Sequence, residues 1–166
     1  MKAAPHDKFM NRRQAASPGS PVVDPADWTA EEMAASEAWC HHLSAAEIEE
    51  LHHATAKFDR ESVDLIPLRR SDFNLPKLSS ALAEMRAQLL YGRGFTLIRG
   101  LPVSDFSKRA AAIAFWAIGQ HLGDEALSQN KHGHVLGHVT DIGESRSDPS
   151  QRGPYSREEI PFHVDC

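Results

Sequence analysis

The sequence predicts an α+β protein in which the helices come first and the strands come late. Two capping-box patterns lie before residue 50, and a third helical pattern is followed by a strand-like run that glycines bound on both sides. Beyond residue 124, only short strand-like segments remain. A helical first part, one strand, another helix and then short strands suggest an α+β fold.

Length and composition indicate a globular protein. The chain has 166 residues, 41% of them hydrophobic and 25% charged, which fits one ordinary domain or part of a larger one. The net charge of −5 gives no electrostatic reason to expect nucleic acid or an anionic membrane as a partner. The longest apolar stretch, residues 110–118, is too short to span a bilayer.

The cysteines and the N-terminus refine this prediction. Two cysteines, Cys40 and Cys166, form neither a disulfide framework nor a metal-type spacing, so we expect a reducing, cytoplasmic location. Residues 1–25 are rich in Pro, Ser and charged side chains and are predicted to form a mobile tail. The domain proper is then expected over residues 26–166.

Helical signals dominate the first half. Thr29 with Glu32, and Ser44 with Glu47, form the capping-box patterns, which predict helices over residues 29–42 and 45–58. Residues 64–70 are expected to be extended, because they contain β-branched and other strand-forming side chains. A helix is predicted over residues 76–91. Its apolar positions recur every three or four residues, at Leu78, Leu82, Met85 and Leu89.

The second half begins with the clearest strand, residues 94–100, bounded by Gly94 and Gly100. Ser104 or Asp105 is expected to cap the next helix, which runs to about residue 122. One face of that helix is predicted to be buried, comprising Ala112, Phe115, Trp116 and Ile118. Short strands are then expected over residues 135–136, 138–140 and 160–165.

The segment with the most chemical information is His163-Val164-Asp165. On a strand, residues at i and i+2 turn to the same face, about 6–7 Å apart. An imidazole and a carboxylate on one face are two members of the 2-His-1-carboxylate site that binds non-haem Fe(II). Taken alone, the tripeptide is weak evidence, since a His and an Asp that face solvent would give the same pattern.

Several sequence blocks together resemble the TauD/TfdA-like (taurine dioxygenase-like) family of Fe(II)- and 2-oxoglutarate-dependent oxygenases. Their order and spacing are more specific than any one block, and the resemblance covers about residues 26–165. The blocks are Gly92-Arg-Gly-Phe-Thr-Leu-Ile-Arg-Gly-Leu-Pro102, Gly119-Gln-His-Leu-Gly123, Ser128-Gln-Asn130, Leu136-Gly-His-Val-Thr-Asp141 and Ile160-Pro-Phe-His-Val-Asp165.

The resemblance implies a double-stranded β-helix, a jelly-roll relative of the cupins and of clavaminate synthase, which the helical part precedes. It places the first two iron ligands on His163 and Asp165. The family's distal His ligand and its 2-oxoglutarate-binding Arg follow well downstream, and no position here matches them. The chain is therefore expected to be the N-terminal portion of such an enzyme, inactive alone. The cofactors implied are Fe(II) and, as co-substrate, 2-oxoglutarate, with O₂ and a small organic molecule to be hydroxylated.

Other polar residues are weaker candidates for the functional site. The resemblance places Gln129 and Asn130 near the substrate, and Tyr155 and Arg157 approach the ligand-bearing strand and could line the same pocket. The remaining histidines are expected to be solvated or structural, including the cluster of His132, His134 and His138 and the pairs His41-His42 and His52-His53, which are predicted on helices.

Two non-oxygenase alternatives stay open at this point. The chain could be a non-catalytic helical interaction module that uses residues 29–91 to bind a partner. It could also be a metal-binding cupin-like protein without oxygenase activity.

Overall fold

Four helices and two short strands make up the regular structure of the described residues. The computed structural model describes residues 15, 17–60, 64–123, 135–137, 139–141 and 143. In chain order, the elements are α1 (Ala30–Ala34), β1 (Cys40–His42), α2 (Ala45–Arg60), α3 (Ser79–Tyr91), β2 (Leu97–Arg99) and α4 (Lys108–Leu122), with 3₁₀ turns at Arg70–Asp72 and Val103–Asp105. The chain divides into two units, Met1–Ala126 and Leu127–Cys166, and all these elements belong to the first.

Both predicted capping boxes are confirmed. The Thr29 hydroxyl accepts the Glu32 N–H at 3.3 Å, and the Glu32 carboxylate accepts the Thr29 N–H at 2.7 Å. Ser44 and Glu47 make the same reciprocal pair at 3.3 and 2.8 Å, at the start of α2. These bonds satisfy backbone donors that the first turn of a helix leaves without partners.

The first helix is much shorter than the predicted residues 29–42. It ends at Ala34, and residues 40–42 form strand β1, which pairs in parallel with β2 so that His41 lies opposite Ile98. The indole of Trp39 donates to the Met33 carbonyl at 3.0 Å and fixes the chain between helix and strand. A capping signal specifies where a helix starts, whereas the strand pairing that ended this one comes from residues more than fifty positions away.

The core lies where α2, α3 and α4 pack together. Helix α4 contacts both α2 and α3. The side chains at the centre are nearly or completely buried: Leu51, Leu78, Leu82, Ile113 and Ala114. Three of the four predicted apolar positions of α3, those at 78, 82 and 85, are buried, and Leu89 is half-buried. The 3.6-residue period therefore identified the core face of α3 correctly.

Residues 64–70 form turns rather than the predicted extended segment. The indole of Trp116 in α4 donates to the Leu68 carbonyl at 3.2 Å, and the guanidinium of Arg69 donates to the carbonyls of Ile66 and Leu68. Side chains therefore take the carbonyls that a strand would offer to a neighbouring strand. Strand propensity alone did not account for this competition.

Two predictions about α4 are wrong. The cap is Ser107, whose hydroxyl accepts the Ala110 N–H at 2.9 Å, because Ser104 and Asp105 belong to the preceding 3₁₀ turn. Phe115, predicted to be buried, is 66% exposed. Trp116 and Ile118 are buried as predicted, and Ala112 is half-buried. The buried face also includes Ile113, Ala114, Ala117 and His121.

The predicted strands after residue 124 lie only partly within the described residues, and the described parts do not form strands. Residues 135–136 form a bend, residues 139–140 are not in a strand, and residues 160–165 lie outside the described part. The described architecture is thus a helical protein with few strands, and the predicted jelly roll stays a prediction. None of the described helices has the length and apolar composition needed to cross a membrane.

A carboxylate from α2 caps α3. Glu50, 7% exposed, accepts the Lys77 N–H at 2.8 Å and the Leu78 N–H at 2.9 Å. These donors lie just before the first residue of α3, where the helix dipole favours a negative charge. A buried carboxylate of α2 thereby bonds the start of α3, although Glu50 and Lys77 are 27 positions apart in the sequence.

We expect Glu50→Gln to lower the free energy of unfolding by about 2 kcal/mol, since an amide presents only one acceptor oxygen to two backbone donors, one of them buried. Chemical denaturation at neutral pH measures the difference. Glu49→Gln is the matched control, because Glu49 is exposed on the same helix. It should change the stability by less than about 0.5 kcal/mol. Equal effects of the two substitutions would contradict the capping role.

Candidate metal centre

The predicted iron ligands, His163 and Asp165, lie outside the described residues. So do the four residues predicted near the substrate: Gln129, Asn130, Tyr155 and Arg157. The histidines at 132, 134 and 138 are also outside. The proposed metal centre therefore stays a prediction from the sequence. The geometry that the structure does describe belongs to the helical unit.

The described residues contain no group of three or more His, Cys, Asp or Glu side chains arranged to hold a metal ion. His41 and His42 lie on β1 rather than on a helix, contrary to prediction. His52 stacks on the ring of Phe106, with centroids 4.0 Å apart and planes 6° from parallel. The Cys40 Sγ lies 3.5 Å from the His42 Nε2. These contacts give the adjacent histidines different neighbours and no shared site.

Glu47 joins the first strand to α2. Its carboxylate accepts the Ser44 hydroxyl at 2.8 Å, and its Oε1 lies 3.0 Å from the His41 Nε2. Burial raises the pKa of Glu47, but the bonds from Ser44 and His41 outweigh it and leave the pKa below 4.5. The carboxylate form is therefore the one that holds β1 against the start of α2.

His121 is the most unusual buried polar group of the helical unit. It lies in the last turn of α4 and is 4% exposed, and neither ring nitrogen makes a hydrogen bond of good geometry. Burial and the nearby Arg70 lower its pKa below 6.5, against smaller opposing effects of the Phe73 backbone and Glu50. The neutral imidazole is thus poorly satisfied, and a buried polar group left without a partner costs about 1–3 kcal/mol.

The sequence contains a signal for His121 that periodicity could have detected. Counting back from His121 by three, four and seven residues gives Ile118, Ala117 and Ala114, all on the buried face of α4. A histidine in register with three buried apolar residues is expected to be buried. In the family resemblance, His121 appears only as part of the Gly119–Gly123 block.

Comparison with known protein families identifies the class. A family model described as "Taurine catabolism dioxygenase TauD, TfdA family" matches residues 48–166. The chain belongs to this family. The match begins within α2 and extends over the His163-Val164-Asp165 segment, so the resemblance inferred from the sequence blocks is confirmed.

One curated relative is the FR-33289 synthase of Streptomyces rubellomurinus (strain ATCC 31215). The two sequences are 25% identical over 147 residues. These residues are 88% of this chain but only 43% of the synthase. The chain thus spans less than half the length of this relative.

The two shifted pKa values predict how stability depends on pH. As the pH falls below 6.5, the unfolded chain protonates residue 121 before the folded protein does, so stability decreases through this range. For Glu47, the folded pKa lies below 4.5, so its contribution is present above that pH and is lost as the pH falls through the folded pKa.

Replacing the imidazole of His121 should therefore reduce the pH dependence of the free energy of unfolding only in the higher of these two pH ranges. We expect His121→Gln to be less sensitive than the wild type to acidification between pH 7 and about 5, measured by denaturation at a series of pH values. His53→Gln, at an exposed position on α2, should keep the wild-type slope. If both variants retain that slope, another group causes the pH dependence.

Proposed function

We propose that this chain forms part of an Fe(II)- and 2-oxoglutarate-dependent dioxygenase that hydroxylates a small organic substrate, with His163 and Asp165 as two of the metal ligands. The observation that carries the proposal is the family match, because it extends over both residues. The overall reaction converts R–H, O₂ and 2-oxoglutarate into R–OH, succinate and CO₂. The name FR-33289 synthase does not state which molecule that enzyme hydroxylates.

The donor set fits the proposed metal. A neutral imidazole and a carboxylate are ligands that suit Fe(II), and the carboxylate offsets part of the cation's charge. Bound iron would supply the oxygen-activating chemistry, which protein side chains cannot provide. His163 and Asp165 would fix the metal on one side and leave the opposite side for the co-substrate and O₂. The third protein ligand and the arginine for 2-oxoglutarate would come from residues that this chain does not supply.

Gln129, Asn130, Tyr155 and Arg157 are proposed to line the substrate pocket. Amide, phenol and guanidinium groups can orient a small polar molecule by hydrogen bonds and charge. Their role would be binding and positioning. Substitution of one of them in the longer protein would then be expected to raise KM more than it lowers kcat.

Two rival functions can be separated experimentally. If the protein binds metal without oxygenase chemistry, adding 2-oxoglutarate to the Fe(II)-loaded longer protein under anaerobic conditions should leave its absorption spectrum unchanged. If the chain serves only as a helical interaction module, hydrogen exchange should show strong protection in α2–α4 and none after residue 124.

In a longer protein containing this sequence, we expect His163→Ala to reduce 2-oxoglutarate-dependent succinate formation by at least about a hundredfold, because the metal loses one of three protein ligands. Asp165→Ala should have a similar effect. His53→Ala is the matched control and should retain wild-type activity, since His53 is an exposed residue of α2. Retained succinate formation in His163→Ala would refute the ligand assignment.

The 166-residue chain alone should bind Fe(II) weakly and should form no succinate above background. Two protein ligands hold a metal less tightly than three, and the pair lacks the arginine that the family uses for 2-oxoglutarate. Anaerobic Fe(II) titration and a succinate assay on the purified chain test this. Turnover by this chain would show that the proposed ligand set is incomplete.

A further inference from the structure

The segment ahead of β1, residues 26–39, forms an exposed strap on the helical unit. It contains α1 and the two indoles of Trp28 and Trp39, and none of its residues is buried. Trp28 is 42% exposed, whereas Leu51 and Ile113 at the centre of the three-helix core are completely buried. The strap therefore gains little stability from apolar burial.

A few contacts that lie close together hold the strap in place. The Trp28 indole donates to the Arg93 carbonyl at 3.0 Å, and the Trp39 carbonyl accepts the Leu97 N–H at 2.9 Å. The ring of Phe95 contacts both indoles, with centroids 5.0 Å from Trp28 and 5.9 Å from Trp39. Within the described part of the chain, the hydrogen bonds and ring contacts that link the strap to residues beyond β1 thus fall on residues 93–97.

The turn that leads into β2 allows the strap to approach closely. Gly94 has a φ of 84°, a left-handed conformation that glycine adopts without a steric penalty. The Cβ of Ala26 lies 3.7 Å from the position that a Cβ on Gly94 would occupy. The same turn carries the Arg93 carbonyl to which Trp28 donates.

The chain is fixed again immediately after the strap. The His41 Nε2 lies 3.0 Å from the Glu47 Oε1, and the Leu43 N–H donates to the Arg99 carbonyl at 2.9 Å. Leu43 is also buried. The later part of β1 is therefore attached to α2 and β2 by contacts in which the strap takes no part.

We propose that the strap opens and closes as one unit while the helical core stays folded, with Trp28 as its latch and Cys40 as its hinge. Segments with little buried apolar surface and exposed hydrogen bonds open at a lower free energy than the core does. Since the contacts of the strap fall on one short segment, losing those of Trp28 weakens the hold on Trp39 as well.

Opening would change the surface at one end of β2. It uncovers the ring of Phe95 and the N–H of Leu97, the first residue of that strand. A strand edge without a partner can pair with another extended segment. The strap is thus a conformational device that covers or exposes this edge.

The proposal is independent of the iron site. Every residue that carries it belongs to the helical unit, and His163 and Asp165 take no part. Loss of iron-dependent activity would leave it unaffected, and a strap that does not open would not alter the proposed oxygenase function.

The test is native-state hydrogen exchange of the 166-residue chain, followed by NMR at single amides. The Leu97 N–H reports the strap, the Leu43 N–H reports the fixed part of β1, and the Ile113 N–H reports the core of α4. After correction for intrinsic rates, we expect Leu97 to exchange at least about tenfold faster than the other two. Its rate should depend little on low concentrations of denaturant, because strap opening exposes little surface.

Substitutions of Trp28 test the latch. Trp28→Ala removes both the indole donor and the ring contact, so it should accelerate exchange at Leu97 about fivefold or more and leave Leu43 and Ile113 within about twofold. Trp28→Phe keeps a ring beside Phe95 and should have an intermediate effect. Phe115→Ala is the matched control, since it removes an exposed aromatic side chain from α4 and should leave Leu97 within about twofold.

Two results would overturn the proposal. One is exchange at Leu97 that is no faster than at Ile113 and equally sensitive to denaturant, because Leu97 would then open only when the whole unit unfolds. The other is an equal acceleration of Leu97 and Ile113 in Trp28→Ala, which would make Trp28 part of the global stability rather than a local latch. Selective acceleration at Leu97 that Phe115→Ala does not reproduce supports the proposal.

Discussion

The helical unit depends on the buried carboxylate of Glu50. A helix start needs partners for its first N–H groups, and α3 obtains two of them from a side chain of α2 rather than from a local cap. The residue at the N-cap position of α3, Leu78, has no side chain that could accept a hydrogen bond. The apolar residues that follow, Leu82 and Met85, face the core only when α3 begins at this point and in this direction. The hydrogen bonds to Glu50 therefore fix where the helix starts, while apolar burial supplies most of the stability.

Two buried polar side chains, Glu47 on α2 and His121 on α4, differ in how well their hydrogen-bonding groups are satisfied. Glu47 is well satisfied by the Ser44 and His41 groups, and its pKa is lowered accordingly. His121 on α4 makes no hydrogen bond of good geometry, and its pKa is lowered because the charged form is poorly solvated. Satisfied buried groups rigidify a structure, whereas poorly satisfied ones cost stability.

The family match and the described elements overlap from residue 48 to the end of α4, and the predicted ligand pair lies beyond that overlap. The TauD, TfdA family match covers residues 48–166 and includes the predicted ligand pair, whereas the described elements end at Leu122. The structure therefore describes the helical segment that precedes the proposed metal centre in the sequence. That segment ends in α4, whose indole at Trp116 binds the carbonyl of Leu68 and whose last turn carries His121.

The sequence by itself determined the local features of this protein. Both capping boxes, the core face of α3 and the glycine that follows α4 depend on residues within one or two turns of each other, so their patterns were sufficient. The His163-Val164-Asp165 motif and its family context were also found in the sequence, because ligand chemistry and spacing are local properties.

Only the tertiary structure decided the rest. It ended α1 at Ala34 by pairing residues 40–42 with β2, and it turned Phe115 outward. It also brought Glu50 to the start of α3, 27 residues away along the chain. Each of these outcomes depends on which distant backbone or side chain is nearby. Local propensity and periodicity cannot encode that choice, since they describe a segment's preferences without its partners.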